Sequence, residues 1–339
     1  MGAVKMGITI KDIAKQANVS VTTVSLVMNN KADHISEKTK QKIFQVVEEM
    51  DYKPSQVARS LVTSKSKTIA LIVPDISNPF FSEIAKGISD VLYQEGYNLF
   101  LSTSYDNIEQ ELQSITSLAE YSIDGLIIST VNTNDSQYEA VLSKLNIPLI
   151  LLDRHSVLKR YTSIGVADKD GGYQATQYLL DKGHKQIACI TGNADIRNLQ
   201  ERLAGYREAL EQHGVAFNEK LVEHAELTIE GGYMATKNIL EKQAVSAIFA
   251  CNDLMALGVY QAALERGLKI PEHLSVVGFD DIPLSKYLNP KLTTMHQPIY
   301  QIGTAAANSI LAAVIDGKTK PEDIVFDLHL VERDSVSTL

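Results

Sequence analysis

The 339-residue chain has few of the residues that build cross-linked or metal-bound frameworks. It contains only two cysteines, Cys189 and Cys251, and each lies in an apolar stretch typical of a buried strand. We therefore expect free, buried thiols and neither a disulfide nor a metal centre. The eight histidines show no spacing typical of metal ligands. The residues predict no metal and no cofactor.

Long apolar runs are also missing. No stretch reaches the roughly 18 apolar residues that suggest a membrane-spanning helix. The segment from Met1 to Gly7 is too short and too weakly apolar for a secretory signal. We therefore expect a cytoplasmic protein with no membrane partner.

Common enzyme motifs are absent as well. The chain has no Gly-x-Gly-x-x-Gly loop, no complete Gly-x-x-x-x-Gly-Lys-Ser/Thr phosphate loop and no Gly-x-Ser-x-Gly elbow. Asp280 and Asp281 could be imagined as an acid–base pair, but adjacent residues at a strand end point to opposite sides. The sequence therefore does not favour an enzyme.

Charge is distributed unevenly along the chain, whose net charge is −9. Residues 1 to 65 carry ten Lys and Arg against six Asp and Glu, whereas residues 66 to 339 carry 22 against 35. A basic head therefore precedes an acidic body. The overall charge argues against a nucleic-acid partner, but the head favours one.

Three short helices are predicted in the head, each preceded by a side chain that can cap it. Thr9 and Asp12 have the spacing of a capping box, and Ser20 and Ser36 can cap the second and third helices. The helices carry the apolar positions Ile10, Ile13, Ala14, Ala17, Val21, Val24, Val27, Ile43, Val46, Val47 and Met50.

The first two helices have the features of a helix-turn-helix. Such a unit needs a small residue where the helices cross, a left-handed residue in the turn and an apolar residue that locks the second helix. Ala14, Asn18 and Val24 occupy these positions. The candidate DNA contacts are Val21, Thr22, Ser25 and Leu26 toward bases, and Ser20, Thr23 and Asn29 toward phosphates. A trihelical packing module with no DNA contact is the alternative.

After the polar segment Thr63 to Lys67, apolar strands alternate with longer amphipathic segments. This alternation predicts parallel α/β sheets, and its length favours two doubly wound lobes. The predicted strands are Ile69 to Val73, Leu99 to Leu101, Gly125 to Ile128, Pro148 to Leu152, Ile187 to Ile190, Ala247 to Ala250, Leu274 to Phe279 and Ile324 to Val331.

Motifs along nearly the whole chain resemble those of the lactose and purine repressor family. In the head they are Ile10-Lys-Asp-Ile-Ala-Lys-Gln-Ala-Asn-Val-Ser20, Thr23-Val-Ser25, Asn29, Tyr52-Lys-Pro54 and Val57-Ala-Arg-Ser-Leu61. In the body they are Val73-Pro-Asp-Ile-Ser-Asn-Pro-Phe-Phe81, Leu152-Asp-Arg154, Arg202-Leu-Ala-Gly205, Cys251-Asn-Asp253, Val277-Gly-Phe-Asp-Asp281 and Thr293 to Gln297. The resemblance implies a helix-turn-helix domain over residues 1–53, a hinge helix and linker over 54–66, and two periplasmic-binding-protein-like lobes over 67–339.

In that family the segment matching Ser55 to Val62 forms a hinge helix on DNA and inserts a leucine into the minor groove. The resemblance implies this role for Leu61, with Ala58 as a further DNA contact, and a wedge of this kind bends the duplex. An ordinary linker helix is the alternative. The family often has arginine where this chain has Leu26, which changes the expected base preference there.

The body motifs imply an effector site, since most of them follow predicted strands and can meet at one cleft. The expected effector contacts are Asn78, Phe80, Phe81, Asp153, Arg154, Arg202, Asn252, Asp280 and Gln297. These side chains suit a neutral sugar, since they combine hydrogen-bonding groups with flat aromatic surface. They resemble the contacts of ribose-binding periplasmic proteins, which favours ribose or another pentose. The departure is Leu227, where those proteins place an aromatic ring.

The resemblance implies a transcriptional repressor of a carbohydrate-utilisation operon that binds palindromic double-stranded operator DNA as a homodimer. A small sugar is expected to release it. Control by a phosphorylated carrier protein or by another corepressor is the alternative. A transport-type sugar receptor would share the body but would not need the basic head.

Overall fold

The structure is a computed structural model that describes residues 8–28, 32–52, 65–129, 136–153, 161–317 and 322–339, without the side chains of 136, 137 and 139. The chain divides into two compact units, Met1–Ser66 and Lys67–Leu339. The predicted hinge contacts Ala58 and Leu61 lie outside the described residues.

The head contains the three predicted helices, α1 (Ile10–Ala17), α2 (Val21–Met28) and α3 (Glu37–Glu49). Their buried core consists of Ile13, Ala14, Ala17, Val24, Val27, Ala32, Ile43 and Val46. Most of these are the predicted apolar positions, so the helical periodicity was sufficient to find this core.

Local hydrogen bonds begin and end these helices largely as predicted. The hydroxyls of Ser20 and Ser36 accept the backbone N–H of the residue three positions on, at 3.0 and 3.3 Å. At α1 the Asp12 carboxylate accepts hydrogen bonds from both the backbone N–H and the hydroxyl of Thr9, at 2.9 and 2.7 Å. Asn18 ends α1 in the left-handed conformation, with φ 53° and ψ 51°. The predicted turn is confirmed.

The body consists of two lobes, each built on a six-stranded sheet with the same connectivity. The first sheet has the order β11-β5-β4-β3-β1-β2 and is parallel throughout. The second has the order β12-β10-β9-β8-β6-β7 and is parallel except for β12. In the first sheet Ile69 of β1 is paired with Leu99 of β2 and with Gly125 of β3.

The bounds of the strands follow in chain order: β1 Thr68–Val73, β2 Asn98–Thr103, β3 Gly125–Ile128, β4 Leu149–Leu152, β5 Thr162–Val166, β6 Ile187–Thr191, β7 Val222–His224, β8 Ala247–Ala250, β9 Ser275–Asp280, β10 Thr293–His296, β11 Asp323–Phe326 and β12 His329–Val331. The body helices are α4 Pro79–Gln94, α5 Ile108–Glu120, α6 Ser136–Leu142, α7 Asp168–Asp181, α8 Arg197–Gln212, α9 Ile229–Lys242, α10 Asp253–Glu265 and α11 Ile299–Asp316.

The chain passes between the lobes three times, after β5, after β10 and after β11. The prediction of one strand from Ile324 to Val331 is wrong, because this segment forms two strands in different sheets. Ile324 of β11 pairs with Ile164 in the first lobe, and Leu330 of β12 pairs with Met295 in the second. An apolar pattern shows that both halves are partly buried but not which sheet each half joins.

Each of three helix pairs in the body is closed by two glycines. A Cβ on either glycine of a pair would collide with backbone atoms of the partner helix, so no larger residue fits without separating the helices. The pairs are Gly87 with Gly303 between α4 and α11, Gly172 with Gly205 between α7 and α8, and Gly232 with Gly258 between α9 and α10.

Both cysteines are buried free thiols, as predicted, with Cys189 in β6 and Cys251 directly after β8. No helix among the described residues is both long and apolar enough to cross a membrane.

A buried histidine in the second lobe makes stability depend on pH. His184 is 1% exposed, and its Nε2 donates to the backbone oxygen of Ser337 at 3.0 Å. In the neutral imidazole, which burial favours, Nδ1 accepts from the hydroxyl of Ser246 at 2.9 Å. Burial lowers the pKa of His184 from its ordinary value of 6.5.

We expect His184→Gln to reduce the loss of thermal stability on acidification. A histidine kept neutral in the folded protein binds its proton in the unfolded chain, so its contribution is complete above about pH 6.5 and is lost as pH falls. The melting temperature of the variant should therefore fall less between about pH 7.5 and about pH 5.5 than that of the wild type. The exposed His34 provides the control His34→Gln. An equal fall in all three proteins would contradict the assignment.

Candidate functional site

The outward face of α2 carries most of the predicted base contacts. Val21 is 41% exposed and Leu26 38% exposed, and Thr22 is exposed as well. Ser25 and Thr23 are half-buried. Val24 and Val27 point into the head core on the opposite side, so α2 can present one face to a groove while the other holds the fold.

Two of the three predicted phosphate contacts, Ser20 and Thr23, have structural roles in the head. Ser20 is exposed, and its hydroxyl caps α2 and hydrogen-bonds the hydroxyl of Thr23 at 2.8 Å. Asn29 lies outside the described residues. Backbone N–H groups and hydroxyls at a helix start are typical phosphate contacts.

A cavity of about 1050 Å³ lies between the two lobes of the body. The first lobe contributes Pro74, Asp75, Ser77, Asn78, Phe81, Tyr105 and Asp106. The second lobe contributes Asn193, Ala194, Ile196, His224, Ala225, Glu226, Leu227, Thr228, Ile229, Glu230 and Leu254. Most of these residues follow the carboxyl ends of strands, where ligands bind in doubly wound sheets.

Arg202 is at the centre of a buried polar network in the second lobe. Its side chain is 4% exposed, and Nε donates to Oδ1 of Asp168 at 2.7 Å. Nη1 donates to the backbone oxygen of Cys251 at 2.6 Å and lies 3.7 Å from Oδ1 of Asp280. The guanidinium also stacks on Phe279, 3.7 Å from the ring centroid.

The carboxylates around Arg202 decide its charge. Burial alone would lower the pKa of Arg202, but Asp168, Asp280 and Asp153 together raise it, so the guanidinium stays protonated. Burial raises the pKa of Asp280, against the lowering effect of Arg202. A fixed cation among carboxylates offers both donors and acceptors to a polar ligand.

Two aspartates of the site have uncommon backbone conformations. Asp153 follows β4 with φ 62°, and Asp280 ends β9 with φ 114°. These strands occupy the same position in their two sheets. Such conformations are unfavourable for residues with a side chain and concentrate at binding sites. The side chain of Asp153 accepts from Asn198 Nδ2 at 3.2 Å, and that of Asp280 accepts from Gln297 Nε2 at 2.7 Å.

The two asparagines predicted as effector contacts also cap helices. Asn78 lines the cavity, and its Oδ1 accepts the N–H of Phe80 at 3.0 Å at the start of α4. Asn252 Oδ1 accepts the N–H of Met255 at 2.7 Å, and its Nδ2 donates to the backbone oxygen of Leu227 at 3.2 Å. Asn252 therefore holds a wall residue of the cavity.

The predicted effector contacts fall into three groups. Asn78 and Phe81 line the cavity. Asp153, Arg202, Asp280 and Gln297 belong to the buried carboxylate–guanidinium region, and Asn252 connects to the cavity through Leu227. Phe80 is 4% exposed and packs edge-to-face on Phe81 in the core, at 5.0 Å between centroids. Arg154 lies outside the described residues.

The predicted separation of Asp280 from Asp281 is confirmed. Asp281 is held by Arg333 at 2.5 Å and by Nδ1 of His296 at 2.9 Å. Asp280 instead contacts Gln297 and Arg202. The two carboxylates therefore have different partners.

The sequence reasoning missed several residues of the site. Asp168 and Asn198 belong to the buried network, and Tyr105, Asp106 and Glu226 line the cavity. The rule that ligands bind beyond strand ends could have found the last three, since they follow β2 and β7. Strand β7 has only three residues, which is too short for a clear pattern.

Two protein-family models match the chain. The model described as bacterial regulatory proteins, lacI family, matches residues 9–55. The model described as periplasmic binding proteins and sugar binding domain of the LacI family matches residues 66–333. The chain belongs to the lacI family. The resemblance predicted from its motifs is confirmed.

Curated lacI-family relatives align with the chain over nearly its full length. The HTH-type transcriptional repressor PurR of Vibrio atlanticus is 36% identical over 98% of this chain and 99% of its own length. The HTH-type transcriptional regulator DegA of Bacillus subtilis is 38% identical, with the same coverage. The ribose operon repressor of Haemophilus influenzae is 34% identical, again over 98% and 99%.

Solved structures of the family share the fold. The lac repressor dimer bound to operator and the anti-inducer ONPF has a TM-score of 0.87 at 28% identity, covering 98% of this chain and 100% of that chain. The regulator CelR in complex with cellobiose has a TM-score of 0.74 at 28% identity, covering 97% and 99%. A regulator from Enterococcus faecium with bound ribose has a TM-score of 0.73 at 31% identity, covering 80% and 99%. The chain is thus a DNA-binding transcriptional repressor of the lacI family, and its body is the sugar-binding domain of that family.

Proposed function

We propose that this regulator represses a carbohydrate-utilisation operon and leaves its operator when a neutral sugar binds between the lobes. Two observations carry the proposal: the cavity between the lobes and the buried Arg202 that Asp153, Asp168 and Asp280 surround. Arg202 donates to the backbone oxygen of Cys251, and the next residue, Asn252, donates to the backbone oxygen of the cavity residue Leu227. This arrangement lies on the same chain as a helix-turn-helix head. One molecule therefore combines a DNA reader with a polar ligand site.

On the DNA side, the exposed face of α2 contacts base edges, and Ser20, Thr23 and Asn29 contact phosphates. We assign residues 1–53 to the DNA-binding domain, 54–66 to the hinge and 67–339 to the effector-binding body. The hinge contributes Ala58 and Leu61 to the minor groove. One short head reads only a half-site, so the operator is two-fold symmetric and is bound by a homodimer.

An exposed apolar edge in the first lobe supports self-association. Strand β2 is the terminal strand of its sheet, and Phe100 and Leu101 on it are 45% and 43% exposed. Tyr121 at the end of the adjoining α5 is 72% exposed. Edge strands with exposed apolar residues pair readily with another chain.

On the sugar side, Arg202, Asp280, Asp153 and Asn78 supply hydrogen bonds, and Phe81 supplies an apolar face. Relatives of this fold include a regulator solved with ribose and one solved with cellobiose. Ribose or a similar pentose is the first monosaccharide to test, because the ribose-type contacts are present apart from the aromatic ring at Leu227.

The proposal is tested by operator binding in fluorescence anisotropy during sugar titrations. The full chain should bind a palindromic operator tightly without sugar and dissociate as sugar is added, because an inducer must bind the released state better than the DNA-bound state. Tighter operator binding on adding sugar would contradict release and make the sugar a corepressor.

We expect Leu61→Ala to weaken operator binding at least about tenfold while sugar affinity changes less than about twofold. The substitution removes the proposed minor-groove wedge and leaves the body intact. The two affinities are measured by anisotropy and by calorimetry on the same preparation. Equal losses in both would contradict the hinge assignment.

A further inference from the structure

The cavity between the lobes has two zones that differ in exposure. The inner zone consists of Asn78, Phe81 and Ile196, which are 4 to 9% exposed. The outer zone consists of the exposed residues Tyr105, Asp106, Glu226, Ile229 and Glu230. Asn78 and Phe81 of the inner zone are among the residues assigned above to the effector, whereas the outer zone has no role in that assignment.

The cavity is larger than one monosaccharide needs. Its volume of about 1050 Å³ lies just above the range of about 300 to 1,000 Å³ that is typical of pockets for drug-sized ligands. A five-carbon sugar is much smaller than such ligands. A single ring held by the inner zone therefore leaves the outer zone for a further part of the effector.

Tyr105 is an exposed aromatic residue in an uncommon backbone conformation. It is 66% exposed, and its hydroxyl makes no hydrogen bond to any residue that the structure describes. Tyr105 and Asp106 have φ of 50° and 53°, and the Tyr105 N–H donates to the backbone oxygen of Pro74 at 2.8 Å. Two successive left-handed residues concentrate strain at the rim of the cavity. A ligand that covers the ring would offset the cost of exposing it.

The second lobe provides complementary groups for the outer zone. Ile229 is the first residue of α9 and is 40% exposed. Glu226 lies three residues before it and Glu230 directly after it, and both line the cavity. The start of α9 is held by Thr228, whose hydroxyl accepts the N–H of Gly231 at 3.0 Å. Apolar surface next to carboxylates is typical of sites for sugar hydroxyls.

Charge in the outer zone disfavours a phosphorylated ring there. Of the five residues that form this zone, Asp106, Glu226 and Glu230 are acidic, and none is a lysine or an arginine. Carboxylates repel a phosphate and accept hydrogen bonds from neutral hydroxyls.

We propose that the outer zone is a second sugar subsite, so that the effector is a neutral sugar of at least two rings. One ring occupies the inner zone of Asn78, Phe81 and Ile196, and the next stacks on Tyr105 with its hydroxyls toward the carboxylates. This inference rests on the proposed sugar response and specifies the class of sugar.

The test is titration calorimetry of the full-length protein with ribose, glucose, maltose, cellobiose and glucose 6-phosphate. At least one disaccharide should bind about tenfold more tightly than either neutral monosaccharide, and glucose 6-phosphate should bind no more tightly than glucose. Tyr105→Ala should weaken disaccharide binding about tenfold and change monosaccharide binding less than about twofold. Tyr93→Ala is the matched control, since Tyr93 is 83% exposed on α4 and does not line the cavity.

The outcomes separate this inference from the proposed function. If the monosaccharides bind as tightly as both disaccharides, or if Tyr105→Ala weakens the two classes equally, the second subsite is wrong while the sugar response stands. If none of the neutral sugars binds the wild-type protein, both proposals fail.

Discussion

Arg202→Ala should produce a repressor that occupies its operator and no longer responds to sugar. The substitution removes the guanidinium that forms ion pairs with Asp168 and Asp280, so these buried carboxylates lose their cationic partner. Loss of a charged hydrogen-bonding partner from such a site costs about 2 to 5 kcal/mol of binding, or roughly 30-fold to several thousand-fold in sugar affinity. The head is a separate compact unit, so operator affinity without sugar should change little.

The same substitution should destabilise the body by about 3 to 5 kcal/mol, because breaking a buried ion pair leaves unpaired charge in the interior. The direction of the pH dependence follows from Asp280. Burial already raises the pKa of Asp280, and loss of Arg202 raises it further, so protonation of Asp280 relieves the unfavourable charge as pH falls. The stability deficit of the variant should therefore shrink from about pH 7.5 to about pH 5.

These effects are measured by operator anisotropy with sugar and by urea unfolding at the two pH values. Arg197→Ala is the matched control, because Arg197 lies on the same helix in an exposed pair with Glu201 at 2.9 Å, worth about 0.5 kcal/mol or less. If the alanine variant does not fold, Asp280→Asn keeps the shape of the site and should still impair release. Normal release in either variant refutes the assigned site.

Gly205→Ala should destabilise the body by about 3 kcal/mol, although alanine is the better helix former by about 1 kcal/mol. The added Cβ would overlap the backbone oxygen of Lys169 and the N–H of Tyr173, so α7 and α8 must separate. Backbone atoms cannot rotate away as a flexible side chain can. Steric overlap therefore outweighs helix propensity.

Separating α7 from α8 should also impair the effector site. Arg202 lies one turn before Gly205, and its backbone oxygen faces Gly172 on α7. Moving α8 lengthens the 2.7 Å contact between Arg202 Nε and Asp168 at the start of α7. Sugar affinity should therefore fall together with stability.

Urea unfolding and calorimetry with sugar measure the two effects of Gly205→Ala. Gly214→Ala is the control, since its Cβ would meet no atom within 4 Å and only its φ of 69° opposes the substitution, at about 1 kcal/mol. A gain in stability from Gly205→Ala would show that the helices accommodate the methyl group and would contradict the packing argument.

The head could be predicted almost entirely from the sequence because its determinants are local. Ser20 and Ser36 cap the helices that directly follow them, and Asn18 takes the left-handed turn between α1 and α2. These interactions join residues at most a few positions apart, so their spacing is visible in the chain.

The body was predicted in outline and missed in detail for a related reason. Buried strands such as β1 and β9 are continuous apolar runs and were found. Strands β5, β7 and β10 were not predicted, and β11 and β12 were predicted as one strand. Short edge strands take their conformation from the neighbour they pair with, and that neighbour is far away in sequence.

The sequence by itself determined the helix-turn-helix head and the parallel α/β body, and its motifs supplied the residues proposed for the effector site, since each rests on caps, periodicity or motifs. Only the tertiary structure decided that Asp168 neutralises Arg202, that Phe80 packs in the core beside Phe81, and that Tyr105 stands at the rim of the cavity. The physical reason is distance along the chain. Asp168 and Arg202 are 34 positions apart, and their contact depends on two helices brought together by glycines that the local pattern cannot pair.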